Sequence, residues 1–186
     1  LLLGICNGFQ TILKAGLIMR RGIEDASQKS LEDQITLTWN SNGRYTDRWV
    51  RLKVTSCNSV FLKGMDEIDV PMAHAEGRIA FKHPDLLDTL RENSQVAACY
   101  WSPAANEMLK TVNDPTRIGL LPEPENPNGS IANIAGLCDT TGRVLGLMPH
   151  PERFLFATQH PQWTRLGLRG EGDGIKIFRN AVEYFG

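Results

Sequence analysis

The sequence has no Cys-x-x-Cys pair. Its four cysteines, Cys6, Cys57, Cys99 and Cys138, are widely scattered. That excludes compact zinc ribbons and dense disulfide frameworks, which depend on close spacing. A reducing, cytoplasmic setting is the simplest reading. The chain also lacks an excess of either charge, with 20 Lys and Arg against 21 Asp and Glu. A nucleic-acid or membrane-surface binder would show a one-signed footprint. No apolar run approaches the roughly 20 residues of a membrane-spanning helix. The apolar start "LLLGICNG" is too short for a secretion signal and has neither a basic segment nor a cleavage site. No Met opens the chain, and it contains no repeat or low-complexity tract.

What is present suits one domain over 1–186, long enough to enclose a sizeable core. Leu1–Gly4 reads as the end of a buried strand, and Phe9–Ala15 as a helix with Gly16 just past its end. Ile35–Trp39 and Trp49–Val54 read as strands, with "NSNG" at Asn40–Gly43 supplying turn chemistry between them. In the second, Val50, Leu52 and Val54 alternate with Trp49, Arg51 and Lys53, so one face is buried. Glu67–Val70 is a short strand before Pro71, Pro84–Arg91 a short helix, and Gln95–Trp101 a further strand. Ser102–Ser130, rich in Pro, Asn and Gly, reads as a long surface excursion with a short helix at Ala105–Thr111. Ile131–Cys138 and Val144–Met148 form a hairpin-like pair around "DTTGR". Ile175, Phe178, Ala181, Val182 and Phe185 make an apolar stripe on a final helix. Strands alternating with helices, plus hairpins, predict an α/β fold with a mixed sheet. The first strand begins almost at residue 1, so the sheet is expected to lack its earlier strands.

The stretch "LGICNGFQ" at Leu3–Gln10 carries the chemistry. Gly4-x-Cys6-x-Gly8 between a strand and a helix is the pattern of a nucleophile elbow. The nucleophile sits at the tip in a strained conformation, and the glycines let strand and helix approach. The helix N-terminus favours the thiolate, the reactive form. The backbone N–H of Asn7 can point at the oxygen of a tetrahedral intermediate. The same pattern is expected by chance roughly 0.03 times in a chain of this composition.

A cysteine nucleophile needs an imidazole, and the imidazole needs an orienting acceptor. Three histidines carry an acid two residues on: His74/Glu76, His83/Asp85 and His150/Glu152. Pattern alone does not choose among them. Asp85 is explained as a first-turn helix acid beside Pro84, and His160 in "TQHPQW" has no nearby acid and reads as a surface-loop residue. His150 has the stronger case over His74. It follows a clear strand, and Pro151 holds it extended, so Glu152 can reach round to its ring.

These residues resemble the class I glutamine amidotransferases, which use a Cys-His-Glu triad. Within that class the blocks are most similar to the glutaminase subunits of phosphoribosylformylglycinamidine synthases. "GICNGFQ" has Asn7 where the wider class usually has Leu. "RWVRLKV" at Arg48–Val54, "AHAEGR" at Ala73–Arg78, "NPNGSIANIAGLCD" at Asn126–Asp139 and "GLMPHPER" at Gly146–Arg153 follow in the family's order. The resemblance implies Cys6 as nucleophile, His150 as general base and acid, Glu152 as its orienting carboxylate, and the Asn7 N–H as an oxyanion donor. Gln10 matches a glutamine of the elbow helix near the substrate pocket. It implies a flavodoxin-like α/β fold with a mixed, mostly parallel sheet and added hairpins, lacking its first βα units. The family's domain begins upstream of the elbow, where a glycine-rich loop supplies the second oxyanion donor, so an N-terminally truncated domain is expected here. One block departs from the family: Ala75 stands where His-Gly-Glu-Gly is usual. The implied substrate is glutamine, with no metal or organic cofactor for the glutaminase half. The implied partners are a synthetase, which uses ATP and Mg²⁺, and a small accessory subunit, with no nucleic acid or membrane. Rival readings are a non-catalytic subunit of the same fold, a cysteine hydrolase, and an amidotransferase serving GMP, CTP or anthranilate synthesis.

Overall fold

The computed structural model describes residues 1–19, 34–55 and 57–186. Strand β1 (Leu2–Ile5) leads into helix α1 (Asn7–Lys14), and β2 (Ile35–Trp39) and β3 (Thr46–Val54) follow. Next come β4 (Glu67–His74), β5 (Glu76–Phe81), α2 (Leu86–Glu92), β6 (Val96–Trp101) and α3 (Ala105–Val112). The chain ends with β7 (Ile134–Cys138), β8 (Val144–Leu147) and α4 (Ile175–Glu183). A six-stranded sheet runs β1-β8-β7-β6-β3-β4, and β2 pairs with β5 in a separate ribbon.

The sheet is mixed, as expected, but not mostly parallel. Among the described strands only β1 and β8 pair in parallel, and every other pairing is antiparallel. A parallel pair needs a long crossover, which the short β7–β8 connection cannot hold, whereas β1 and β8 are far apart in sequence. β1 lies at one edge. The "NSNG" turn does not join a hairpin either. Asn40 N–H donates to the Ala75 carbonyl (2.7 Å), and β2 pairs with β5 rather than β3. β4 runs straight through Pro71, which an edge strand tolerates because one side of its ladder stays unused.

One core on each face holds the sheet. Val50, Leu52, Val70, Met72, Tyr100, Leu145, Leu147 and Ile177 share one cluster, while Phe9, Leu13, Ile79, Leu90, Cys99, Leu137 and Met148 share the other. Residues of β4 and β8 meet in the first cluster although four strand steps separate them, so the sheet is curled. β6 is buried at every residue, as a central strand covered on both faces should be. α1 closes as the sequence predicts: Gly16 has φ +72°, and the Gly16 and Leu17 N–H groups cap the carbonyls of Leu13 and Ile12.

Two readings need correction. On α4, Val182 and Phe185 are exposed, and the buried positions are Ile177 and Asn180. A polar residue takes the inner face because the Asn180 amide donates to the carbonyls of Phe61 (2.8 Å) and Lys63 (2.9 Å). The 102–130 excursion is not all surface. Trp101, Ala105, Ile118 and Leu121 form a small core, and Asn126, Asn128 and Ser130 are buried.

Candidate active site

The elbow forms as its sequence requires. Cys6 has φ 52° and ψ −109°, a conformation that costs an L-residue on the order of 1–3 kcal/mol. A side chain on Gly4 would lie 2.7 Å from the Gly8 carbonyl carbon and oxygen, so only glycine lets β1 and α1 come this close. Gly8 has open space around its missing side chain. Phe9, fully buried, occupies the gap left by Gly146 of β8, where a Cβ would fall 2.0 Å from the ring. Cys6 N–H donates to the Leu147 carbonyl (2.7 Å), which pins the tip of the elbow to the end of β8.

That end of β8 also delivers the imidazole. His150 N–H donates to the Pro71 carbonyl on β4 (2.7 Å), and His150 Nδ1 donates to Glu152 Oε1 at 2.6 Å. The carboxylate therefore fixes the tautomer and leaves Nε2 for the thiol. Cys6 is the largest influence raising the His150 pKa above the ordinary imidazole value; burial opposes it, and Glu152 adds to it. Nε2 of His150 has no partner in full hydrogen-bond geometry. Asn7 opens α1, so its N–H has no acceptor within the helix.

The structure brings Cys6, His150 and Glu152 into one line. Gln10 is tethered nearby, its amide donating to the Glu76 carbonyl on β5 (2.8 Å). His83 is exposed just after β5, and His160 packs its ring on Trp49 at 4.3 Å. Sequence reasoning missed two things. His74 is buried beside His150 and feels its charge. The "NPNGS" block is the brace beneath it: Asn128 Nδ2 donates to the Gly77 carbonyl (2.8 Å) and to Tyr100 Oη (3.1 Å), and Ser130 Oγ accepts from Ile79 N–H (3.0 Å). The run of Asn and Ser was the available signal, since buried polar side chains of this kind hold loops. Among the described residues no cluster of His, Cys, Asp or Glu could hold a metal ion, and no helix is long and apolar enough to cross a membrane.

A model of the CobB/CobQ-like glutamine amidotransferase domain matches residues 1–185. The chain belongs to this amidotransferase family. It is 42% identical over 185 residues to the phosphoribosylformylglycinamidine synthase subunit PurQ of Dehalococcoides mccartyi, covering 99% of this chain and 63% of that protein. It is 38% identical over 195 residues to PurQ of Methanococcus maripaludis, covering 100% of this chain and 65% of the relative. The chain thus spans less than two-thirds of the length of these relatives. Among solved structures, a chain in PurLQS from Thermotoga maritima superposes with a TM-score of 0.62 at 25% identity, over 100% of this chain and 62% of that one. The curled mixed sheet is thus an amidotransferase fold.

Proposed function

We propose that this chain is part of the glutaminase subunit of a phosphoribosylformylglycinamidine synthase. The observation that carries the reading is the Cys6–His150–Glu152 line at the tip of a positive-φ elbow. The likeness to PurQ subunits supplies the pathway.

In this reading the Cys6 thiolate attacks the side-chain amide carbon of glutamine, and the Asn7 N–H donates to the developing oxyanion. Protonated His150 gives its proton to the departing nitrogen, so ammonia leaves and a glutamyl thioester remains. Neutral His150 then takes a proton from water, whose oxygen attacks the thioester carbon. Glutamate departs and the thiol is restored. Glu152 holds the imidazole in the tautomer both steps need. Gln10, held by Glu76, borders the substrate side of the elbow.

The ammonia passes to a synthetase of the PurL type, which uses ATP and Mg²⁺ to convert formylglycinamide ribonucleotide to formylglycinamidine ribonucleotide. A small PurS-type subunit completes the assembly, and the cytoplasm is its place. The test is Cys6→Ser in the full-length subunit with its synthetase. Glutamine-dependent synthesis should collapse while ammonia-dependent synthesis persists. Full glutamine-dependent activity in the variant would refute the nucleophile assignment.

A further inference from the structure

The site contains a second imidazole that the mechanism above does not use. His74, the last residue of β4, is 4% exposed. Asn40 defines its state. The Asn40 amide NH₂ is committed to two carbonyls, those of His74 (2.8 Å) and Arg44 (3.0 Å). Its Oδ1 must therefore face the other way, toward His74 Nδ1 (3.2 Å) and Gly77 N–H (3.3 Å). An acceptor at Nδ1 makes Nδ1 the protonated nitrogen and leaves Nε2 a bare lone pair. Nε2 is buried and has no partner among the described residues, so a proton placed there would be a buried donor with none of these groups to donate to. The missing side chain of Gly77 makes room for the ring: a Cβ there would lie 2.1 Å from Cε1.

His150 has the opposite arrangement. Its Nδ1 faces a carboxylate, and its Nε2 lies toward a thiol that can become an anion. Two neighbouring imidazoles thus have different acceptors, a carboxamide for one and a carboxylate for the other. Such pairs, pushed apart by environment, mark separated acid–base roles. The charged groups on the surrounding elements are Asp47 and Arg48 on β3, Arg44 before it, Glu76 and Arg78 on β5, and Glu152 and Arg153 beyond His150. Burial first, and then the His150 charge, push the His74 pKa down to about 4, and none of the other groups acts appreciably on it.

We propose that His74 is a positioning residue, a second imidazole fixed in its Nδ1–H tautomer by Asn40 and kept uncharged by its burial, so that the site's one imidazolium resides on His150. A cation at His74 would repel the protonated His150 that the ammonia-releasing step requires. The inference deepens the glutaminase reading and rests on it for its kinetic arm only.

The experiment is imidazole titration by NMR on the full-length subunit, with glutaminase kcat/KM measured against pH. In the wild type, His74 should stay neutral down to about pH 5 while His150 titrates above 6.5. His74→Gln, neutral for neutral, should leave the His150 pKa in place. Asn40→Asp, a carboxylate for a carboxamide, should raise the His74 pKa by more than a unit. His74→Arg, a fixed cation at the same position, should lower the His150 pKa, and with it the alkaline limb of kcat/KM, by about one unit. His74 titrating at or above pH 6.5 in the wild type would overturn the proposal. So would a His150 pKa that rises in His74→Gln, or one that stays fixed in His74→Arg. If Asn40→Asp or His74→Arg does not fold, the wild type and His74→Gln still decide. Absence of glutaminase activity in the wild type would count against the functional reading and leave the titration arm standing.

Discussion

Adding one methyl group to each glycine of the elbow should have opposite effects. In Gly4→Ala the new Cβ meets Gly8 backbone carbon and oxygen at 2.7 Å and Ile12 Cδ1 at 2.8 Å. Backbone cannot rotate away as a flexible side chain can, so β1 and α1 must separate. Overpacking of this kind costs typically about 1–3 kcal/mol. Gly8 lies inside α1, has no positive φ and has nothing within 4 Å of its Cβ position. Gly8→Ala should therefore stabilise by roughly 0.4–1 kcal/mol, through a less flexible unfolded chain. The two variants should differ by about 1.5–4 kcal/mol, a gap of roughly 3–16 °C in Tm at 2–4 °C per kcal/mol. Thermal unfolding followed by circular dichroism reads this directly. The separation should also carry Cys6 away from His150, and a displacement of about 1 Å can cost 10²-fold in rate. Equal melting temperatures, or a more stable Gly4→Ala, would refute the close-approach argument.

Further predictions concern the imidazoles and the thiols. Glu152→Gln removes the carboxylate that orients His150 and should lower glutaminase kcat/KM by about 10²–10⁴-fold, measured by glutamate release. The His74 pKa is depressed in the folded state, so its contribution to stability is present above pH 6.5 and is lost as pH falls toward 4. The size is about 3 kcal/mol by linkage, and denaturant melts at pH 4 and 7 should show a smaller difference in His74→Gln. The His150 pKa is raised, so its contribution is full below pH 6.5 and fades as pH rises through the folded value. Glu152→Gln should lose less stability than wild type between pH 6 and 9. Cys57 lies against the Cys138 thiol beside a cavity of about 740 Å³, and that contact holds its pKa below the ordinary thiol value. In a Cys6→Ser background, limiting iodoacetamide should label Cys57 before Cys99 or Cys138, as mapped by peptide mass spectrometry.

The elbow was legible because its chemistry is local: strand, glycine, cysteine, helix. His150 and Glu152 were legible as a pair two residues apart, but the expected extended conformation is instead a 3-10 turn over Pro151–Arg153, and that turn brings Glu152 Oε1 to His150 Nδ1. The pairing of β2 with β5 was not, because a turn sequence such as "NSNG" says that the chain bends and not which strand it meets. The inner face of α4 was misread for a related reason. Asn180 is buried by two loop carbonyls 117 and 119 residues away, and apolar periodicity cannot register them. The proportion of parallel pairing was inherited from the family pattern, whereas among the described strands only β1 and β8 pair that way. His74 read as the weaker candidate because its acceptor is Asn40, which is 34 residues away in sequence.

The central claim is that Cys6 is the nucleophile of a glutaminase. A glutamine-shaped diazoketone, applied to the full-length subunit and mapped by peptide mass spectrometry, tests it most directly. The account predicts one adduct, on Cys6, suppressed by excess glutamine, with Cys57 unlabelled. Labelling elsewhere in a protein that still releases glutamate, with Cys6 unmodified, would contradict it.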